Sequence, residues 1–141
     1  MKKLLYLFLF TCIYSSNSFA APGDTTWVTV YENRKIDHYG DFDTTAALPA
    51  GGTSYRKIRM HYILGRYNCP AGTQYCGSWD YTTLLYAKPA NADTVEIGRV
   101  ITPYATDWSI SRKHDYIIDV TDYASILKGN LDMRFAYQGY S

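Results

Sequence analysis

The stretch from Leu131 to Gln138 alternates without a break: Leu131, Met133, Phe135 and Tyr137 fall between Asp132, Arg134, Ala136 and Gln138. A period of two sends successive side chains to opposite faces, so this segment reads as a strand with one buried and one wet side. Tyr55 to Leu64 repeats the pattern, with Ile58, Met60, Tyr62 and Leu64 on one side and Lys57, Arg59 and His61 on the other. His61 is expected as an exposed neutral imidazole on the wet side. The only helical signal is a turn or two over Tyr123 to Lys128, capped by Thr121 or Asp122 and closed by Gly129-Asn130. Such a chain must bury its core between sheets.

The remaining segments extend that reading. Trp27 to Tyr31 is rich in β-branched and aromatic residues and predicts a first strand. Asn33 to Gly52 holds few apolar residues, ends in Leu48-Pro49-Ala50-Gly51-Gly52, and predicts a loop. Its Asp37, Asp41 and Asp43 surround Gly40, but their spacing does not fit a twelve-residue calcium loop, and solvated carboxylates are the plainer reading. Asp80 to Lys88 carries apolar groups on both faces at Leu84-Leu85-Tyr86-Ala87 and predicts a central strand. Pro89 to Asp93 is a turn. Thr94 to Thr102 predicts a strand with Gly98 at a bulge or close approach, stopped by Pro103. A polar connection over Tyr104 to His114 leads to a strand over Asp115 to Val120. Six strands and almost no helix predict an all-β fold, an antiparallel jelly-roll β-sandwich. The last strand ends close to Ser141, and six strands leave a jelly roll open. The expectation is therefore an incomplete sandwich.

Residues 1–20 do not belong to that fold. Lys2 and Lys3 precede an apolar run from Leu4 to Tyr14, and Ser18-Phe19-Ala20 is a small-x-small cleavage pattern. This predicts a signal peptide, a mature chain from Ala21, and a secreted or periplasmic protein. The apolar run is too short to span a bilayer, and Cys12 is removed with the signal. With a formal charge of +1 and 19% charged residues, nothing points to nucleic acid. Fifteen tyrosines suit strands and surfaces that touch partners or sugars. Export leaves Cys69 and Cys76 as an even pair in an oxidising compartment, where one disulfide is the default. Closing so short a loop contributes about 2.5 kcal/mol in the chain-entropy model. His38, His61 and His114 are scattered, so no zinc site is expected.

No nucleophile elbow, phosphate-cradling glycine loop or His-x-x-x-His pair occurs. The sharpest chemistry lies in Cys69 to Asp80, CPAGTQYCGSWD, where a pinned loop delivers Trp79 and Asp80 to the start of a strand. Asp80 can act as an acid or base there. It can equally cap the loop by accepting backbone N–H groups, and from the residues alone the cap outweighs catalysis.

A resemblance shifts that weight. In order along the chain stand Ile58-Arg59-Met60, the cysteine loop with Cys76-x-x-Trp79-Asp80, Glu96 to Tyr104 (EIGRVITPY), Ile118 to Tyr123 (IDVTDY), Leu127 to Asn130 (LKGN) and the last strand. This ordered set, from Lys57 to Tyr140, resembles the N-terminal jelly-roll domain of the bacterial peptide-N-glycosidase F family. These are secreted amidases that cleave the asparagine–GlcNAc amide of N-linked glycans. The resemblance implies that Asp80 is the principal catalytic aspartate, with Trp79 its neighbour, and that no metal or cofactor is needed. It implies an N-linked glycan or glycoprotein as partner, with Trp79, Tyr81, Gln138 and Tyr140 on the substrate side.

The departures are as specific. Tyr81 stands where the best-known member has a glycan-holding arginine, Gln138 where the family has a supporting glutamate, and Tyr140 where it has a tryptophan. Gln138 keeps the shape and hydrogen-bonding reach of glutamate but cannot ionise. In the family a second jelly roll lies beside the first, with the active site between them, and supplies another essential glutamate with arginine and tryptophan contacts. The expectation is a domain over residues 21–141, truncated at its C-terminal end and inactive alone. The other reading is a non-catalytic carbohydrate-binding or structural β-module with Asp80 as a cap. The family shares its jelly roll with copper-dependent monooxygenases, but that chemistry needs clustered His and Met ligands, which this sequence lacks.

Overall fold

The computed structural model describes residues 23–36, 38–65, 80–104 and 111–139. Among these residues six strands appear in this order: β1 (Gly40–Ala47), β2 (Arg59–Gly65), β3 (Thr82–Lys88), β4 (Val95–Ile101), β5 (Lys113–Asp119) and β6 (Asn130–Gln138). A single 3₁₀ turn, Thr121–Tyr123, lies between β5 and β6. The strands form a four-stranded sheet in the order β1-β6-β3-β4 and a two-stranded sheet β2-β5, with every pairing antiparallel. The architecture is an antiparallel β-sandwich of the jelly-roll class, with its sheets not closed.

The central position of β6 follows from its alternation. Leu131, Met133 and Phe135 are buried, and they face β3 through Ala87 and Leu85 in the register Met133↔Ala87 and Phe135↔Leu85. On the other side of β6, Phe42 pairs with Phe135 and Ala46 with Leu131. Central strand β3 is buried on both faces, as Leu84 and Ala87 show. The second sheet closes the core from above: Tyr62 stacks on Phe135 with ring centroids 5.9 Å apart, and Phe42 meets the same ring at 5.9 Å.

Gly98 is where the sheets come closest. The β3–β4 register shifts between Leu85 and Tyr86, which makes a bulge that leaves Ile97 buried in the core. The end of the Met60 side chain occupies the space a Cβ at position 98 would need. Both readings of Gly98, bulge and close approach, hold.

Two expectations are corrected. Trp27 to Tyr31 is not a strand. It is fastened by side chains instead: Tyr31 Oη donates to the carbonyl oxygens of Phe42 at 2.7 Å and Met133 at 3.2 Å, and its ring meets Phe135 edge-on. Conversely, the predicted loop contains β1. Only Phe42 and Ala46 of that strand are buried apolar groups, too few to register as a pattern. Its carboxylates complete the strand from the outside, because Arg134 on β6 reaches Asp41 at 2.7 Å and grips both oxygens of Asp43 at 2.8 and 2.9 Å. Asp37 lies outside the described residues.

The helical turn expected over Tyr123 to Lys128 is instead one 3₁₀ turn over Thr121–Tyr123, which takes in the residues expected as caps and is tied from upstream. Asp119 accepts from both the Thr121 backbone N–H (3.1 Å) and its hydroxyl (2.6 Å), while Thr121 Oγ1 accepts from the Ile58 N–H at 3.0 Å. Those bonds and Lys57, 3.0 Å away, pull the Asp119 carboxyl down to about 2. Gly129, at φ +61, ends the turn in the left-handed conformation that glycine adopts without penalty.

Three tyrosines carry phenols pushed up to about 12, chiefly by burial: Tyr31, Tyr62 and Tyr137. Each holds its proton more tightly folded than unfolded, where tyrosine titrates near 10. Stability from this source is complete below about pH 10 and falls as pH rises toward about 12. A tyrosinate absorbance titration should show these phenols ionising late and together with unfolding; fifteen independent titrations of ordinary midpoint would contradict this assignment. For packing, Phe135→Ala should cost about 3–5 kcal/mol in chemical denaturation. Gly98→Val should cost about 1–3 kcal/mol through overpacking, and Met60→Ala in the same chain should recover part of it.

Candidate active site

The end of the β3–β6 pair lies beside Asp80, Tyr81 and Gln138, the described residues among those singled out from the sequence. Thr82, the first residue of β3, pairs with Gln138, the last of β6, and Thr83 pairs with Tyr137. Asp80 precedes Thr82 by two residues, so its carboxylate and the Gln138 carboxamide belong to one end of the two central strands. Both residues are exposed. Among the described residues no hydrogen bond or ion pair engages the Asp80 carboxylate. Gln138 lies on the polar side of β6 with Asp132 and Arg134, as the alternation predicts.

Behind this end the sandwich is plugged by rings. Tyr39, Tyr81 and Tyr137 form a closed triangle with centroids 5.2, 5.3 and 5.4 Å apart, two of the three contacts edge-on. Edge-to-face packing brings the positive rim of one ring to the negative face of the next. Tyr81 is also clamped by its backbone: its N–H donates to Thr102 Oγ1 at 2.8 Å, and its carbonyl accepts from the Thr102 N–H at 2.9 Å. The residue directly after Asp80 is thus fixed at ring and backbone alike.

Tyr39 is the member that sequence reasoning passed over. It precedes β1 inside the segment read as a loop. Its one legible signal was a glycine elsewhere: a Cβ at Gly139 would stand inside Tyr39's ring, so the two positions must match. Burial, with Tyr39 and Tyr81 alongside, keeps the Tyr137 phenol neutral.

The charged outer face of the sheet does not extend to this end. Arg134 is four residues from Gln138 along β6, roughly 13 Å at ~3.3 Å per residue. It is already engaged by Asp41 and Asp43, and beside it Ala136 and Leu84 are buried. The described part of the site therefore offers one carboxylate and one carboxamide. The carboxylate can take or return a proton; the carboxamide can donate and accept hydrogen bonds without changing charge. Trp79, Tyr140, Cys69 and Cys76, and with them the expected disulfide, lie outside the described residues. Among the described residues no group of three or more His, Cys, Asp or Glu is placed to hold a metal ion. Nor is any helix there long and apolar enough to cross a membrane.

No protein-family model matches the chain. Among curated proteins, it is 33% identical over 127 residues to peptide-N(4)-(N-acetyl-beta-D-glucosaminyl)asparagine amidase F of Elizabethkingia miricola, an alignment covering 84% of this chain and 33% of that protein. Among solved structures, recombinant peptide:N-glycanase F matches with a TM-score of 0.56 at 26% identity, over 77% of this chain and 35% of that one. PNGase F from Flavobacterium meningosepticum, described as a glycosylasparaginase, matches with a TM-score of 0.52 at 26% identity, over 81% and 35%. The chain spans about a third of the length of each of these relatives. By sequence and by backbone alike, the chain is similar to one part of peptide-N-glycosidase F.

Proposed function

We propose that this chain is the N-terminal jelly-roll part of an exported amidase that hydrolyses the asparagine–GlcNAc bond of N-glycoproteins, and that it supplies half of the active site. The observation that carries the reading is the Thr82↔Gln138 pairing, which brings Asp80 and Gln138 to one exposed end of the central strands. Asp80 is the group that activates water and handles the proton at the glycosylamide nitrogen. Gln138 orients a sugar hydroxyl or the water without sharing charge. Trp79, Tyr81 and Tyr140 flank the glycan; Tyr81 does so chiefly by holding the strand end that bears Asp80. A second β-domain, present in the relatives' additional length, supplies the remaining carboxylate and cations. The Cys69–Cys76 disulfide tethers the loop leading into Asp80, and removal of residues 1–20 on export places the protein outside the cytoplasm. A non-catalytic glycan-binding role is favoured by Gln138, which cannot ionise, and by Tyr81, which stands where the family has a glycan-holding arginine.

On a defined N-glycopeptide the mature chain alone should give no deglycosylation detectable by mass spectrometry, and clear turnover would refute the half-site reading. Grafted in place of the matching segment of a full-length amidase, it should yield a slow enzyme. In that graft Asp80→Asn should lower kcat by about 10²–10⁴-fold, the usual contribution of a general acid–base group. Gln138→Glu should raise it. A graft whose activity is unchanged by Asp80→Asn would leave the glycan-binding module as the better description.

A further inference from the structure

A second constellation lies on the sheet that the candidate active site does not use. In β2–β5, Met60, Tyr62 and Ile118 face the core, so Arg59, His61, Ile63, Asp115, Ile117 and Asp119 face outward. On that outer face His61 Nδ1 lies 2.9 Å from Asp115 Oδ2, diagonally across the strand pair. The two side chains are 24% and 39% exposed, partly sheltered and still reachable. His61, expected on the wet side, does face outward, though half-sheltered and paired with Asp115. With Nδ1 engaged by Asp115, Nε2 is the ring's second hydrogen-bonding atom.

Trp27 stands over this pair. Its indole lies 5.0 Å from the His61 ring, tilted by 58°, and it is 72% exposed. Tryptophan is large and usually well covered in a folded domain, so one this open is unusual. It is not adrift: Tyr55 Oη donates to Thr26 Oγ1 at 3.3 Å, which fixes the residue before it. Ile63 and Ile117, each 57% exposed, complete an apolar margin around the polar pair. A flat aromatic face beside a carboxylate–imidazole pair fits an amphipathic ligand whose one side is C–H and whose rim is hydroxyl. A pyranose has that construction: its C–H face packs on indole, and its hydroxyls donate to a carboxylate and an imidazole nitrogen. A peptide strand or lipid would match the isoleucines but would leave the directional pair unused.

We propose that the outer face of β2–β5 is a second saccharide-binding surface, with Trp27 as the stacking platform and His61–Asp115 as its hydrogen-bonding partner. It lies on the opposite sheet from the Asp80 end and can hold a glycan, or a neighbouring glycan branch, independently of hydrolysis. The reading does not depend on Asp80 being catalytic.

The test is an NMR titration of the mature chain with chitin-derived and mannose oligosaccharides, following indole and backbone amide signals. The Trp27 indole signal, assigned by its loss in Trp27→Ala, should shift with a millimolar midpoint together with the amides of His61 and Asp115. Trp27→Ala should weaken binding tenfold or more, Trp27→Phe should restore part of it, and Asp115→Asn should weaken it several-fold. Asp80→Asn should leave these shifts unchanged while removing any shift at Gln138, which separates this surface from the candidate active site. Absence of any Trp27 shift at saturating sugar, or shifts that survive in Trp27→Ala, would overturn the proposal.

Discussion

Phe135 is the point at which both sheets are held. Its ring is contacted by Tyr62 from the two-stranded sheet, by Phe42 from the neighbouring strand and by Tyr31 from the segment before β1. A two-stranded sheet is barely stable in water by itself. β2–β5 therefore persists because one of its faces is buried against β6, β3 and β4. The close approach at Gly98 belongs to the same constraint, since a side chain there would push Met60, and β2 with it, off the core. Remove the central ring and the second sheet loses its anchor, along with whatever its outer face binds.

That constraint also positions the strand ends beside Asp80 and Gln138. β6 is flanked by β1 and β3, and its register is fixed by alternating burial, because a slip of one residue would turn Leu131, Met133 and Phe135 outward. The Thr82↔Gln138 pairing is thus set by core residues several positions away. The tyrosine triangle then stiffens the terminus, which otherwise would fray as strand ends do. The strand ends inherit their geometry from the core, and Asp80 and Gln138 remain exposed there.

How much of this was legible follows from which forces act locally. β2, β3, β4, β5 and β6 announced themselves because their burial alternates, or is continuous, within one segment. β1 did not, since its pairing depends on Arg134, 91 residues away from Asp43, and on two buried apolar groups. The same distance hid the purpose of Asp41 and Asp43, which read as solvated acids or a weak calcium cluster until β6 was placed beside them. Trp27 to Tyr31 departs the other way: its β-branched and aromatic residues read as a strand, but the segment stays half-exposed and is held by the Tyr31 side chain rather than by a backbone ladder. Asp80 stood out from its own loop and Gln138 only through the family pattern; the Thr82↔Gln138 register places them at one end of the central strands.

The substitution at Gln138 bears on how the two surfaces relate. In a site with two ionisable carboxylates, each raises the other's proton affinity, and that coupling can hold one of them ready as an acid. A carboxamide removes that coupling but still donates and accepts hydrogen bonds at the same reach, so on the proposed reading glycan binding at the Asp80 end suffers less than hydrolysis. A separate saccharide surface on β2–β5 is consistent with the same balance, since affinity for glycan would then rest on two faces of the sandwich and hydrolysis on only one.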